Sequence, residues 1–161
     1  MDVNGFKGPN SEARNGKQYD IRSFKVAKFS KGCAGNEIKW LGCVSQLPSY
    51  SPIKAGSDEM KKWDPNWTAE KVGGNASSDN YWAGAKKACD DIGMSLPDLS
   101  KLQSIYQAGK KDSSLDLPTD GTFWSSSENG AYGAYLVWFG YGSTPCNGKD
   151  ISYRKVLCVG D

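Results

Sequence analysis

The stretch from Phe123 to Cys158 constrains this chain more than any other. At its centre Ala134 to Phe139 is an unbroken aliphatic and aromatic run set between Gly133 and Gly140. β-Branched and aromatic residues bounded by glycine predict a strand. Alternation along a strand puts Tyr135, Val137 and Phe139 on one face and Leu136 and Trp138 on the other. Both faces are apolar, so the strand is either sandwiched or presents one face as a binding surface. Tyr135, Val137 and Phe139 are expected in the core, with Leu136 and Trp138 on the open side. Trp124-Ser125-Ser126-Ser127-Glu128 precedes this run, and Val156-Leu157-Cys158-Val159 follows it near the C-terminus.

The 161 residues suit one domain. Net charge is +2, from 20 basic and 18 acidic residues, too balanced for a nucleic-acid or anionic-membrane partner. Histidine is absent, which removes Ser-His-Asp and Cys-His nucleophilic sites and the usual zinc sites. The five cysteines, Cys33, Cys43, Cys89, Cys146 and Cys158, form no Cys-x-x-Cys pair and read as disulfide partners with one thiol left over. No stretch reaches the roughly 20 apolar residues that span a bilayer, and no signal peptide follows Met1.

Along the chain, Asp2 to Asn10 is a tight loop punctuated by Gly5, Gly8 and Pro9. Ile21, Phe24, Val26 and Phe29 then alternate loosely as a strand. Asp2, Asn4 and Asp20 are oxygen donors of the kind Ca²⁺ takes, though the later carboxylate of an EF-hand is missing. Capping of the turn by Asp2 and Asn4 through their own backbone is the preferred reading of the two. Cys33 and Cys43 flank a short polar segment. Lys39 to Leu47 reads as a short strand carrying Trp40 and Val44, and residues 48–79 read as a long Pro- and Gly-rich loop anchored by Trp63 and Trp67, with a sugar-stacking platform as the alternative for these two rings. Ser78 or Asp79 is placed to cap a helix starting near Tyr81, with Trp82, Ala85, Cys89 and Ile92 on its buried face and Gly93 as its stop. A second helix opens at Pro97 and carries Leu99, Leu102, Ile105 and Tyr106 as an apolar stripe up to Gly109.

Two resemblances arise from these residues. Asp2-Val3-Asn4-Gly5-Phe6-Lys7-Gly8-Pro9-Asn10, with Gly16 to Phe24 after it, resembles the loop and strand of type IV pilins and type II secretion pseudopilins. In that family a long hydrophobic helix precedes the segment, so a membrane anchor is expected to be the missing part, and the soluble form is expected to be a monomer. Leu96-Pro97-Asp98-Leu99-Ser100-Lys101-Leu102, then Trp124 to Glu128, Ala134 to Phe139 and Val156 to Val159, together resemble the C-type-lectin-like domain of bacterial surface adhesins. Leu157 departs from that pattern, which usually has Arg there. The resemblance implies an α+β, C-type-lectin-like fold with two helices and small antiparallel sheets, preceded by the pilin-like strand segment. Residues 1–30 would form that segment and residues 31–161 the ligand-binding head. In the lectin-like fold a cysteine on the first helix bonds one in the last strand. That pairs Cys89 with Cys158, leaves Cys33 for Cys43, and leaves Cys146 free.

No paired catalytic carboxylates are evident, and no enzymatic activity is expected. The sugar-binding motifs of calcium-dependent lectins are also missing, and fold alone does not license carbohydrate binding. Tyrosine, serine, glycine and asparagine in the C-terminal stretch make up a paratope-like composition, rigid aromatics among adaptable polar groups. The expected ligand-binding residues are Glu128, Asn129, Tyr132, Leu136, Trp138, Tyr141, Ser143, Thr144, Asn147 and Tyr153. The resemblance thus implies a pilin-like cell-surface or pilus protein displaying an adhesin surface for a protein ligand, with other pilin subunits as partners through the missing helix. The same family includes variable proteins of diversity-generating retroelements, and the composition is compatible with that. The alternative is a structural pilus subunit whose aromatic face packs against its neighbours. No cofactor is expected; Asp2, Asn4 and Asp20 are the residues that a structural Ca²⁺ would use.

Overall fold

The computed structural model describes residues 44–67 and 78–160. The pilin-like segment, Cys33–Cys43 and the oxygen ligands Asp2, Asn4 and Asp20 lie outside the described residues. Among those described, the fold is mixed α+β, with three α-helices and two small antiparallel sheets.

Strand β1 (Val44–Leu47) pairs antiparallel with β5 (Val156–Val159), with Val44 opposite Val159. The second sheet has the order β2 (Gly121–Asn129), β3 (Gly133–Phe139), β4 (Cys146–Gly148). The two sheets are stitched together at Lys155, whose N–H donates to Thr122 and whose carbonyl accepts from Trp124. Three helices complete the fold: α1 (Glu59–Trp63), α2 (Tyr81–Asp91) and α3 (Leu99–Lys111). The one-turn α1 corrects the reading of 48–79 as unbroken loop. A helix that short offers almost no periodicity, and its burial of Met60 is a tertiary event.

Strand β3 is the middle strand of its sheet and is covered on both sides. Phe123, Val137 and Phe139 pack with Leu102, Ile105 and Tyr106 of α3. On the other face Trp124, Ala134 and Leu136 pack with Trp82, Ala85 and Cys89 of α2. Strand β5 alternates between the same two cores, with Leu157 and Val159 in the first and Val156 and Cys158 in the second. All four β5 residues are therefore buried, as a strand covered on both faces requires. The expected departure at Leu157 has a simple consequence: an apolar side chain fills the α3 core there. Cys89 and Cys158 are bonded across the α2 core, as the resemblance implied, and Cys146 is a free, exposed thiol.

The helix boundaries follow from their caps. Asn80, not Ser78 or Asp79, caps α2, its side-chain oxygen accepting from Ala83 N–H at 2.8 Å. Asp79 instead accepts from Ala55 N–H and pairs with Lys54. Asp98 caps α3 through Lys101 N–H. Gly93 follows α2 at φ +75°, a conformation that glycine adopts without strain.

Between Trp124 and Glu128 strand β2 bulges: three residues stand against the single residue Tyr135 on β3. All three serines of this bulge are engaged. Ser125 Oγ donates to the Tyr135 carbonyl, Ser126 N–H donates to Pro97, and Ser127 Oγ accepts from Leu99 N–H at the start of α3. The bulge carbonyl of Ser125 accepts from the Trp82 indole at 2.7 Å. A short polar motif thereby joins the sheet to both long helices.

Candidate functional site

The outer end of β3 and the turn after it carry the open aromatic surface. Leu136 and Trp138 share a face, as alternation demands, but they differ in cover. Leu136 is 0% exposed in the α2 core, which corrects the expectation that it lies open. The α2 core stops short of Trp138, which is 45% exposed. The turn that follows folds back on its backbone: the Trp138 carbonyl accepts from both Tyr141 and Gly142 N–H, and Trp138 N–H donates to Ser143. Gly142 sits at φ +78°, and a Cβ there would lie 3.0 Å from the Tyr106 ring. The turn is thus pressed onto α3 with Tyr141 outward, 74% exposed and edge-on to Trp138 with ring centroids 4.5 Å apart.

A second group lies on the same face of the sheet. Asn147 on β4 is in register with Ala134, so its side chain shares the side of Ala134, Leu136 and Trp138. Its side-chain oxygen accepts from the Arg154 guanidinium. Arg154 in turn lies over the ring of Tyr153, 4.5 Å from its centroid, and Tyr153 is 71% exposed. Among the described residues Trp138, Tyr141 and Tyr153 are the exposed large hydrophobic side chains.

The other expected ligand-binding residues are distributed differently. Ser143 is exposed beside Trp138 and Thr144 is half-buried next to it. Asn129 is exposed where β2 ends, opposite Gly133. Tyr132 turns away from solvent: its ring stands edge-on to Trp67 at 6.1 Å and its hydroxyl is buried. Glu128 is engaged rather than free, accepting from Lys149 Nζ at 2.7 Å and from Asn66.

That contact belongs to a polar cluster that the sequence did not disclose. Lys149 is fully buried, and its Nζ also reaches Asp64 Oδ2 at 3.0 Å and the Ala131 carbonyl at 3.1 Å. Asp64 is buried as well and accepts from Asn80 Nδ2 at 2.8 Å, while its Oδ1 has no partner. The Trp82 ring closes the cluster, with Lys149 Nζ 4.3 Å and Lys86 Nζ 4.2 Å from its centroid. Burial pushes the Glu128 carboxyl up, but the Lys149 hydrogen bond and charge, with help from Asn66, outweigh it and leave the group below its ordinary value. Burial lowers Lys86, and the positive charge of Lys149 adds to that effect. Asp64 lies in the segment Trp63-Asp64-Pro65-Asn66-Trp67, and Lys149 follows a glycine-rich stretch, so in sequence both read as surface residues. The spacing of 85 residues between them hid their pairing.

Among the described residues no group of three or more His, Cys, Asp or Glu is gathered to hold a metal ion, and no helix is long and apolar enough to cross a membrane.

No curated protein matches this sequence. A family model described as a domain of unknown function, DUF8780, matches residues 74–160, more than half of the chain, and takes in α2, α3 and strands β2 to β5. The chain belongs to the DUF8780 family.

Proposed function

We propose that this chain is the head of a pilin-like cell-surface protein whose C-type-lectin-like domain displays a ligand-binding surface built on Trp138, Tyr141 and Tyr153. The observation that carries the reading is the exposure of these three rings, all from the C-terminal stretch, while the other large apolar side chains among the described residues are buried or half-buried. Rigid aromatic side chains held above a well-packed sheet carry most of the energy at interfaces, often above about 2 kcal/mol each on truncation. Ser143, Asn147 and Arg154 around them supply polar contacts, the mixture that protein-binding surfaces use. The Cys89–Cys158 disulfide supports an extracellular location, because structural disulfides belong to oxidising compartments. The ligand is a protein on another cell or surface, and the composition of the stretch is compatible with diversification by a retroelement.

Binding of fluorescently labelled protein to a panel of intact bacterial and eukaryotic cells tests the reading. Saturable binding is expected on some surfaces, removed by protease treatment of those cells and by Trp138→Ala or Tyr141→Ala. Undiminished binding by both variants overturns the site, and binding removed by glycosidase instead of protease overturns the ligand class. Self-association of the wild type that the same variants abolish, without cell binding, would establish the structural-subunit alternative.

A further inference from the structure

We propose that Lys149 and Asp64 form a covalent isopeptide bond inside the folded protein, with Glu128 as the proton carrier. The inference is independent of the ligand-binding surface and rests on the buried cluster. Lys149 Nζ is 3.0 Å from Asp64 Oδ2, and both side chains are fully excluded from solvent. Glu128 Oε2 is 2.7 Å from the same nitrogen. Asn80 Nδ2, itself held by the α2 cap, fixes the carboxyl by donating to Oδ2. The Trp82 ring covers the amine. A buried ion pair of this kind has given up the hydration of both charges, and one proton shift along the 3.0 Å contact converts it to an amine facing a carboxylic acid.

The step balances without any outside reactant. Transfer of one proton from Lys149 to Asp64 Oδ2 leaves a free amine facing a carboxylic acid. The nitrogen lone pair attacks Asp64 Cγ, forming the C–N bond. Glu128 takes a proton from the nitrogen and delivers it to the departing Oδ2 hydroxyl. The C–O bond breaks, water leaves, an amide remains with Oδ1 as its carbonyl oxygen, and Glu128 returns to carboxylate. Condensation is unfavourable between free groups in water. Here the two partners are held in contact, where effective molarities of about 10⁵–10⁸ M apply to well-oriented groups, and the partly exposed Glu128 gives the product water a way out.

Intact-mass measurement of the full-length protein, denatured and reduced, tests the proposal. The expected result is a mass lower than that of the reduced sequence by one water, with a branched peptide joining Asp64 to Lys149 after proteolysis. Full sequence mass overturns it. So does a water loss located in a linear peptide, as a succinimide at Asp120-Gly121 would give, or a cross-link from Lys149 to Glu128. Glu128→Gln is expected to remain folded by circular dichroism and to lose the cross-linked species. A cross-link that forms equally well in Glu128→Gln overturns the role of Glu128.

Discussion

Leu136 and Trp138 are two residues apart on one face of one strand, yet they meet different surroundings. Leu136 belongs to the α2 core with Trp82, Trp124, Cys89 and Cys158, whereas Trp138 lies beyond its edge. Leu136→Ala is expected to cost about 2–5 kcal/mol, the transfer free energy of the side chain plus the cavity it leaves. Trp138→Ala is expected to cost about 1 kcal/mol or less, mainly its ring contact with Tyr141. Urea unfolding of the two variants measures both, and a Trp138→Ala loss as large as that of Leu136→Ala would make Trp138 a core residue. Tyr50 supplies a second test at this scale. Its hydroxyl accepts from the Trp124 indole and donates to the Arg154 carbonyl, both at 2.9 Å. Burial pushes this hydroxyl up to about 12 from 10.0, against the Trp124 hydrogen bond. The folded state therefore holds a proton that the unfolded chain releases first. The stability linked to this group is complete below pH 10 and falls as pH rises from 10 towards 12. Tyr50→Phe is expected to be less stable at neutral pH, by about 1–3 kcal/mol for two stranded polar groups, and to lose less stability than the wild type between pH 10 and 12. Parallel alkaline limbs for the two proteins would remove Tyr50 as their cause.

At the scale of elements, α2 is held by close approach as much as by its apolar face. A Cβ on Gly84 would stand 2.1 Å from the Ser51 carbonyl and 2.8 Å from Pro52 Cα. Those are backbone atoms of the segment that pairs with Asn80 through Ile53, so they have no rotamer with which to yield. Gly84→Ala is expected to destabilise by about 1–3 kcal/mol or more, despite the better helix propensity of alanine. Thermal unfolding checks it, and an alanine variant as stable as the wild type would show that the 51–53 segment is free to move. The bulge in β2 belongs to this scale as well. Its serines satisfy the first turn of α3 and the indole of α2 at once, so the angle between helices and sheet depends on a polar motif and not on the apolar packing alone.

For the whole molecule, the disulfide and the buried cluster both hold α2, the one to β5 and the other, through Asn80, to the turn of Asp64 and the segment of Lys149. Cys89–Cys158 joins α2 to β5 across 69 residues. Closing a loop of that length stabilises by about 4 kcal/mol in the chain-entropy model, so reduction is expected to lower the melting temperature markedly while alkylation of Cys146 leaves it unchanged. An unchanged melting temperature after complete reduction, verified by thiol titration, would show the bond to be incidental. The amino-acid sequence by itself determined what depends on local pattern. The alternation of Ala134 to Phe139, the 3–4 spacing from Trp82 to Ile92 and from Leu99 to Tyr106, and Gly93 as a stop were all legible, because each needs only neighbours within one or two turns. The Cys89–Cys158 pairing was reachable only through the resemblance of ordered motifs, since spacing alone leaves the partners of five cysteines open. Tertiary structure decided the rest. Leu136 and Trp138 have identical parity, and only the extent of the α2 core separates buried from open. Ser78 or Asp79 is the expected cap of α2, and the cap is instead Asn80, whose amide also holds Asp64. Asp64 and Lys149 read as turn residues because a charge is expected in water unless a partner replaces it, and that partner comes from 85 residues away, a distance over which sequence pattern carries no signal.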